Sequence, residues 1–404
     1  MAIAFKYKAT DKDGNPVEAG RLATDRFALA RELRAEGLSI ISAQPINQPS
    51  RFSTLSLFGG KPSTKDKIVF AQSLSAMVGA GLSLSRALMV LERQTKKVGF
   101  KKIIQDLGER ISRGESFSVA LAAFPNIFPP VFTAMVMSGE ESGNLAQALE
   151  SIHNQLDKSY NLMRKIKGAM IYPAIIVLAV ISIGVLMMIF LVPNLTAIFL
   201  ELNTELPLST RIVIGVSDFL SHYTFIFLLG VIGLGIGGGF FLRSVVGRRA
   251  LAWTALHLPI IKKISRELNS AVTMRTISSL ITAGVGMVES IHITRKVVQN
   301  PFFQEILDAA AAEIQKGQSL SGILRAREDL YPVLVGEMTE VGEETGKLAE
   351  MLAKGALFYE GEVDQATKNL STIIEPALMI FIGLAVGFFA ISMIGPIYSL
   401  SDSL

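Results

Sequence analysis

The sequence predicts a mainly α-helical integral membrane protein, with two homologous cytoplasmic helical-bundle modules, three transmembrane helices and a small N-terminal α+β unit. Three observations predict it. The 404 residues are 50% hydrophobic and only 18% charged, too apolar for an ordinary soluble chain. Ala174 to Val192, Phe219 to Leu242 and Ala377 to Gly395 each run without Asp, Glu, Lys or Arg for long enough to cross a bilayer. The chain also repeats itself at a spacing of 203, the step from Arg113 to Lys316 and from Gly139 to Gly342.

Residues 1–46 read as the small α+β unit. Ala4 to Ala9 and Val17 to Ala23 are strand-like, joined by the turn-rich Asp11 to Pro16. Asp25 to Glu36 reads as a helix ended by Gly37, and Ser39 to Ala43 as a further strand. Residues 47–65 form a Pro-, Ser- and Gly-rich linker. Its Phe52, Leu55, Leu57 and Phe58 are candidates for contact with the bilayer surface or another subunit. Lys6 and Lys8 lie where a cleavable signal would need an apolar run, so none is expected.

The modules span 66–168 and 269–372. Arg113-Gly-Glu-Ser-Phe-Ser aligns with Lys316-Gly-Gln-Ser-Leu-Ser, and Gly139-Glu-Glu-Ser-Gly with Gly342-Glu-Glu-Thr-Gly. From 113 to 149, 14 of 37 positions are identical without a gap, which excludes coincidence. The same offset carries Ala80-Gly81 onto Ala283-Gly284, and Pro129, Pro173 and Pro193 onto Pro332, Pro376 and Pro396. Ile68, Phe70, Ala71, Leu74, Met77 and Val78, then Leu84, Ala87, Leu88 and Leu91, recur at helical steps. Gly81, Gly99, Gly114 and the prolines from 125 to 130 punctuate them, which predicts about six short helices per module. The last helix of each module, from near Leu145 and Leu348, meets no strong breaker before Pro173 or Pro376. A rigid connection into the membrane follows.

The membrane segments are 169–193, 219–242 and 373–397. Nineteen helical residues rise about 28 Å, close to a hydrocarbon core of roughly 30 Å. Lys158, Arg164, Lys165 and Lys167 precede the first span, and Arg243, Arg248, Arg249, Lys262, Lys263 and Arg266 follow the second. The intervening loop, 194–218, holds Glu201, Glu205 and Asp218 against Arg211. Because positive flanks resist translocation, the N-terminus, both modules and the connector 243–268 are expected in the cytoplasm, and the loop 194–218 and tail 398–404 in the periplasm. Gly233 and Gly237, Gly235 and Gly239, and Gly383 and Gly387 have GxxxG spacing and are candidates for helix packing.

Chemistry has no candidate set. There is no cysteine and no GxSxG, and the four histidines show no metal-ligand spacing. Gly59-Gly60-Lys61-Pro62-Ser63-Thr64 fails as a phosphate loop, since Leu55 stands at the first glycine and proline at the Ser/Thr position. No catalytic, cofactor or metal site is expected, and a net charge of +4 is too dilute to argue for nucleic acid. In the duplicated Gly-Glu-Glu-Ser/Thr-Gly loops, Gly139 and Gly342 are expected to end one helix, and Ser142 or Thr345 to cap the next. Glu140, Glu141, Glu343 and Glu344 are candidates for contact with a basic partner.

The chain resembles the inner-membrane platform proteins of type IV pilus assembly and type II secretion, the general secretion F family. The resemblance covers nearly the whole chain. It is carried by the Phe5-Lys-Tyr-Lys-Ala9 start, the two Gly-Glu-Glu loops, Tyr172-Pro173, Glu375-Pro376, the duplication and the three-span layout. It implies a non-enzymatic, homo-oligomeric hub in the bacterial inner membrane. Its helical domains would contact a cytoplasmic hexameric ATPase and relay motion to pilin or pseudopilin subunits, alongside other inner-membrane alignment proteins. Some secretion-branch relatives are described with a calcium site of acidic side chains. The matching positions here hold Glu150, Asn154 and Lys96, and a cation opposite a carboxylate favours an ion pair, so no metal is carried over. The competing reading is a transporter or channel subunit built from duplicated modules, which spans free of ionisable side chains disfavour.

Overall fold

The computed structural model describes residues 3–10, 16–23, 33, 39–45, 61–201 and 207–401. The chain divides into two units. In the first, β1 (Ile3–Thr10), β2 (Pro16–Ala23) and β3 (Ser39–Pro45) form an antiparallel sheet in the order β2-β1-β3. Tyr7 stands opposite Ala19 on one side and Ala43 on the other, and the β1–β3 register shifts between Lys8 and Ala9. The helix expected over Asp25 to Glu36 lies outside the described residues except for helical Leu33, and so do Phe52, Leu55, Leu57 and Phe58.

The helical part of the chain, which falls in the second unit apart from Thr95–Lys102, opens with α1 (Thr64–Gly79), α2 (Leu84–Gln94), α3 (Val98–Ser112), α4 (Phe117–Ala122), α5 (Pro130–Glu141) and α6 (Leu145–Leu186). A π-helical turn, Met187–Leu191, continues into α7 (Val192–Glu201), followed by α8 (Leu208–His222), α9 (Thr224–Arg243) and α10 (Val245–His257). The second module comprises α11 (Pro259–Thr282), α12 (Met287–Val297), α13 (Pro301–Gln315), α14 (Leu320–Arg325), α15 (Val333–Glu344) and α16 (Leu348–Ser401). Helices α2 to α5 recur in α12 to α15 with every boundary displaced by the sequence offset, and α6 and α16 begin in step. The turns behave likewise. Gly81, Gly114 and Gly143 take φ of 87°, 88° and 70°, and Gly284, Gly317 and Gly346 take 88°, 89° and 69°. That left-handed region ends a helix cheaply only at glycine.

The two cores diverge through a coordinated exchange. In the first module Phe70, Phe128 and Phe132 form a cluster with ring centroids 5.0–6.3 Å apart. The equivalent positions in the second hold Thr273, Tyr331 and Val335. The Tyr331 hydroxyl lies 3.1 Å from Thr273 Oγ1, its ring packs edge-on against Phe303, and both Thr273 and Tyr331 are buried. Burial holds the phenol well above its ordinary pKa, so it stays neutral. Thr273→Val strands that hydroxyl and is expected to cost about 1–3 kcal/mol, whereas adding Tyr331→Phe to it removes both partners and recovers most of the loss. Thermal unfolding of the four chains checks this. A double variant no better than Thr273→Val contradicts it.

The modules pack on each other along α6 and α16. Leu162 of α6 is buried in the second module's core, with Ile166 beside it. The Gln155 amide donates to Thr276 Oγ1 (3.2 Å), and its carbonyl accepts from Ser279 Oγ (2.9 Å). Ser138 donates to the Ala283 carbonyl at 2.5 Å, and Lys165 pairs with Asp364 at 3.1 Å. Buried amide and hydroxyl groups that satisfy one another fix one register between the modules.

The stretch expected as a loop at 194–218 is largely helical. On α8, Thr210, Val213, Ser217 and Leu220 recur at helical steps and are all buried. Val213 packs with Val192 and Met393, Thr210 donates to the Ser392 carbonyl and Ser217 to the Met188 carbonyl, each at 2.5 Å. This face ties α8 to the ends of the first and third apolar helices. It also explains why the second apolar helix begins at Thr224 rather than Phe219: residues 219–222 complete α8, and Tyr223 (φ −114°, ψ 27°) breaks the chain.

Candidate functional site

Helices α4 and α14 have six residues each, too short to persist alone, and their first amides need acceptors. The acceptor comes from the duplicated acidic loop. Glu140 at the end of α5 accepts from the backbone N–H of Phe117 (2.5 Å) and Ser118 (2.9 Å). Glu343 at the end of α15 accepts from the N–H of Leu320 (2.7 Å) and Ser321 (3.2 Å), and from Ser321 Oγ (2.5 Å). A carboxylate at a helix N-terminus gains from charge-assisted bonds and the helix dipole. The four acidic candidates therefore divide. Glu140 and Glu343 are half-buried within each module, while Glu141 and Glu344 are exposed and take no part in the caps.

The glycines of the loop also differ from expectation. Gly139 and Gly342 do not end helices. They are buried inside the last turns of α5 and α15. A Cβ on Gly139 would stand 2.4 Å from Ala148 Cβ, and one on Gly342 would stand 2.8 Å from Leu348 Cα. The next helix thus crosses at near backbone contact, and the helix ends are at Gly143 and Gly346. Ser142 and Thr345 donate back to the Ser138 (2.8 Å) and Val341 (2.6 Å) carbonyls instead of capping α6 and α16. From the other side, Ser75 of α1 donates to the Ala146 carbonyl (2.9 Å), and its counterpart Ser278 of α11 donates to that of Ala349 (2.7 Å).

The helices fixed in this way carry on toward the membrane. Among the described residues, three helices are long and apolar enough to cross one: Leu145–Ile198, Thr224–Arg243 and Leu348–Ile394. The first and third pass through Pro173 and Pro376 without a break, as membrane helices tolerate. A bilayer core of roughly 30 Å takes about 20 residues, so more than half of α16 lies beyond any one crossing. Gly233, Gly235, Gly237, Gly239, Gly383 and Gly387 have no neighbouring atom within 4 Å of where a Cβ would sit. Among the described residues of one chain they are not brought against another helix.

Charge concentrates where α11 meets α16. Arg275 forks onto Glu360 at 2.8 and 2.9 Å, where the first module has Gln72 and Asp157. Glu267, 6% exposed, has one oxygen 3.6 Å from Lys263 and the other without a partner among the described residues. Burial pushes its carboxyl above the ordinary range, and Lys263 offsets this only in part because it is shared with Glu362 at 3.3 Å. Among the described residues no three His, Asp or Glu side chains gather as a metal site. His153, His222 and His257 sit against the carbonyls of Ile68, Asp218 and Trp253.

The sequence profile described as Type II secretion system (T2SS), protein F matches residues 70–193 and again 273–396, more than half of the chain and in step with the repeat. The chain belongs to this family. Relatives of this T2SS protein F family member include the type IV pilus assembly protein PilC of Thermus thermophilus, 35% identical over 404 residues, 99% of this chain and 98% of that protein. PilC of Pseudomonas aeruginosa is 29% identical over 375 residues, covering 92% and 95%. The type II secretion system protein F of that organism is 27% identical over 403 residues, covering 99% of each. Membership of a secretion-system family and three apolar helices suggest an inner-membrane protein.

Proposed function

We propose that this T2SS protein F family member is the non-enzymatic inner-membrane platform of a type IV pilus or type II secretion machine. It couples a cytoplasmic hexameric ATPase to the assembly of pilin or pseudopilin subunits. Both modules and the N-terminus, with residues 1–46 as a small α+β unit, lie in the cytoplasm, and the C-terminal tail in the periplasm. One observation carries the reading: two interlocked modules each continue, without a joint, into an apolar helix. Tilt or rotation imposed on such a module moves the far end of its helix, because an unbroken helix transmits torque that a loop would dissipate. Glu141 and Glu344 are the acidic contacts offered to a basic partner surface. The glycines of α9 and α16 pack against helices of other chains, either further copies or pilins.

A flexible Gly-Ser-Gly-Pro insertion after Lys167, and another after Lys368, separates module from span while leaving both intact. Pilus or secretion output is expected to fall to that of a deletion strain, with membrane level and protease resistance of the modules unchanged. Normal output from both insertions overturns the coupling. Glu141→Lys with Glu344→Lys tests the partner contact, and full assembly in that variant removes it.

A further inference from the structure

We infer that α10 is an interfacial helix that binds anionic phospholipid at the membrane surface, anchoring the second module to the bilayer. The inference rests on α9 crossing the membrane, and it holds whichever side α10 faces. The chain leaves α9 at Arg243, turns through the single extended residue Ser244 (ψ 158°), and starts α10 at Val245. The turn is tight. Ser244 Oγ accepts from the Gly247 N–H (3.0 Å) and donates to the Phe241 carbonyl (2.6 Å), and a Cβ on Gly247 would lie 2.0 Å from Phe241 O. Helix α10 is therefore held directly against the last turn of an apolar helix, at the depth where that helix must leave the hydrocarbon.

The composition of α10 suits that depth. Val246, Ala250 and Trp253 recur at i, i+4 and i+7 and are exposed, Val246 to 69% and Trp253 to 53%, with Leu251 and Leu258 also exposed. Opposite them, Ala252 is buried, so the helix packs on the protein by one side only. Residues 243–266 hold six Lys or Arg and no Asp or Glu. Arg243, Arg248 and Lys262 are exposed and have no carboxylate partner among the described residues, whereas Arg249 is engaged by Glu305 at 3.0 Å. An apolar face with a tryptophan, beside uncompensated positive charge and joined to a membrane span, matches the acyl boundary and negative headgroups of a lipid surface. The absence of acidic residues and the continuity with α9 favour lipid over a protein occupant.

Trp253 is the only tryptophan of the 404 residues, so it reports on α10 without labelling. The full chain is placed in nanodiscs of phosphatidylcholine with a minority of phosphatidylglycerol, with either lipid brominated in separate preparations at equal content. Trp253 emission is expected to be quenched by both, and about three-fold more efficiently by brominated phosphatidylglycerol. Arg243→Gln with Arg248→Gln should abolish the difference while leaving quenching by brominated phosphatidylcholine. Unquenched emission, whether water-like or shifted by a covering protein, overturns the inference. Equal quenching by the two lipids in the unmodified chain overturns its anionic part. Labelling from either side of a sealed vesicle after Ser265 tests the proposed orientation independently, so the two readings fail separately.

Discussion

Glu343→Ala is expected to lower the stability of the full chain by about 2–3 kcal/mol, and Glu140→Ala by about 1–2 kcal/mol. Both remove a half-buried carboxylate that holds the first turn of a six-residue helix, α14 or α4, from 22 or 23 residues away. Such a helix has too few internal hydrogen bonds to outweigh its own ordering, so the loss includes the segment and not only the bonds. The second module should suffer more, because Glu343 also accepts from the Ser321 hydroxyl. Glutamine keeps one acceptor and loses the charge, and belongs between wild type and alanine. Glu141→Ala and Glu344→Ala, one residue along and exposed, should stay within about 0.5 kcal/mol. Chemical unfolding of the full chain in detergent orders the six variants. If Glu141→Ala proves as costly as Glu140→Ala, the loop is not a cap.

How much of this was legible in the sequence follows from the range of each interaction. The helical periods and the glycines Gly81, Gly114, Gly284 and Gly317 mark local turns, and local chemistry sets those boundaries. The repeat offset then carried each boundary from one module to the other. The role of Glu140 was not legible from its own surroundings. A loop of Gly-Glu-Glu-Ser-Gly offers two glycines as helix ends and several caps, and only the tertiary crossing of α5 and α6 selects Gly143 and leaves Gly139 inside the helix. A signal was nevertheless present. The two segments best preserved between the copies, around Arg113-Gly-Glu-Ser and Gly139-Glu-Glu, are the two sides of one contact, since the first leads into the amides that the second caps. The helices within 194–218 are hidden in the sequence for another reason. Its charged residues resemble those of an aqueous loop, whereas the burial of Thr210 and Ser217 depends on carbonyls of Ser392 and Met188, from distant parts of the chain.

Gly342→Val should be strongly damaging, at about 3 kcal/mol or more, with Gly139→Val comparable. At Gly342 the added atoms meet Leu348 Cα at 2.8 Å, with Leu348 Cδ1 and Met351 Cβ just beyond. At Gly139 they meet Ala148 Cβ at 2.4 Å and Leu145 Cα at 3.3 Å. The closest of these are backbone atoms or atoms one bond from it, so no rotamer change relieves them and the two helices must move apart. A control lies in the same long helix. Gly361 of α16 has no atom within 4 Å of where a Cβ would sit, and Gly361→Ala should be neutral or stabilising by about 0.5–1 kcal/mol, because alanine restricts the unfolded chain and favours helix. The contrast separates a packing role from a general preference against side chains in α16. It also reaches function: the α15–α16 crossing at Gly342 fixes the direction in which the helix leaves its module. Gly342→Ala, a smaller insult, is then expected to reduce pilus or secretion output more than its loss of stability accounts for, and output that tracks stability alone would remove that link.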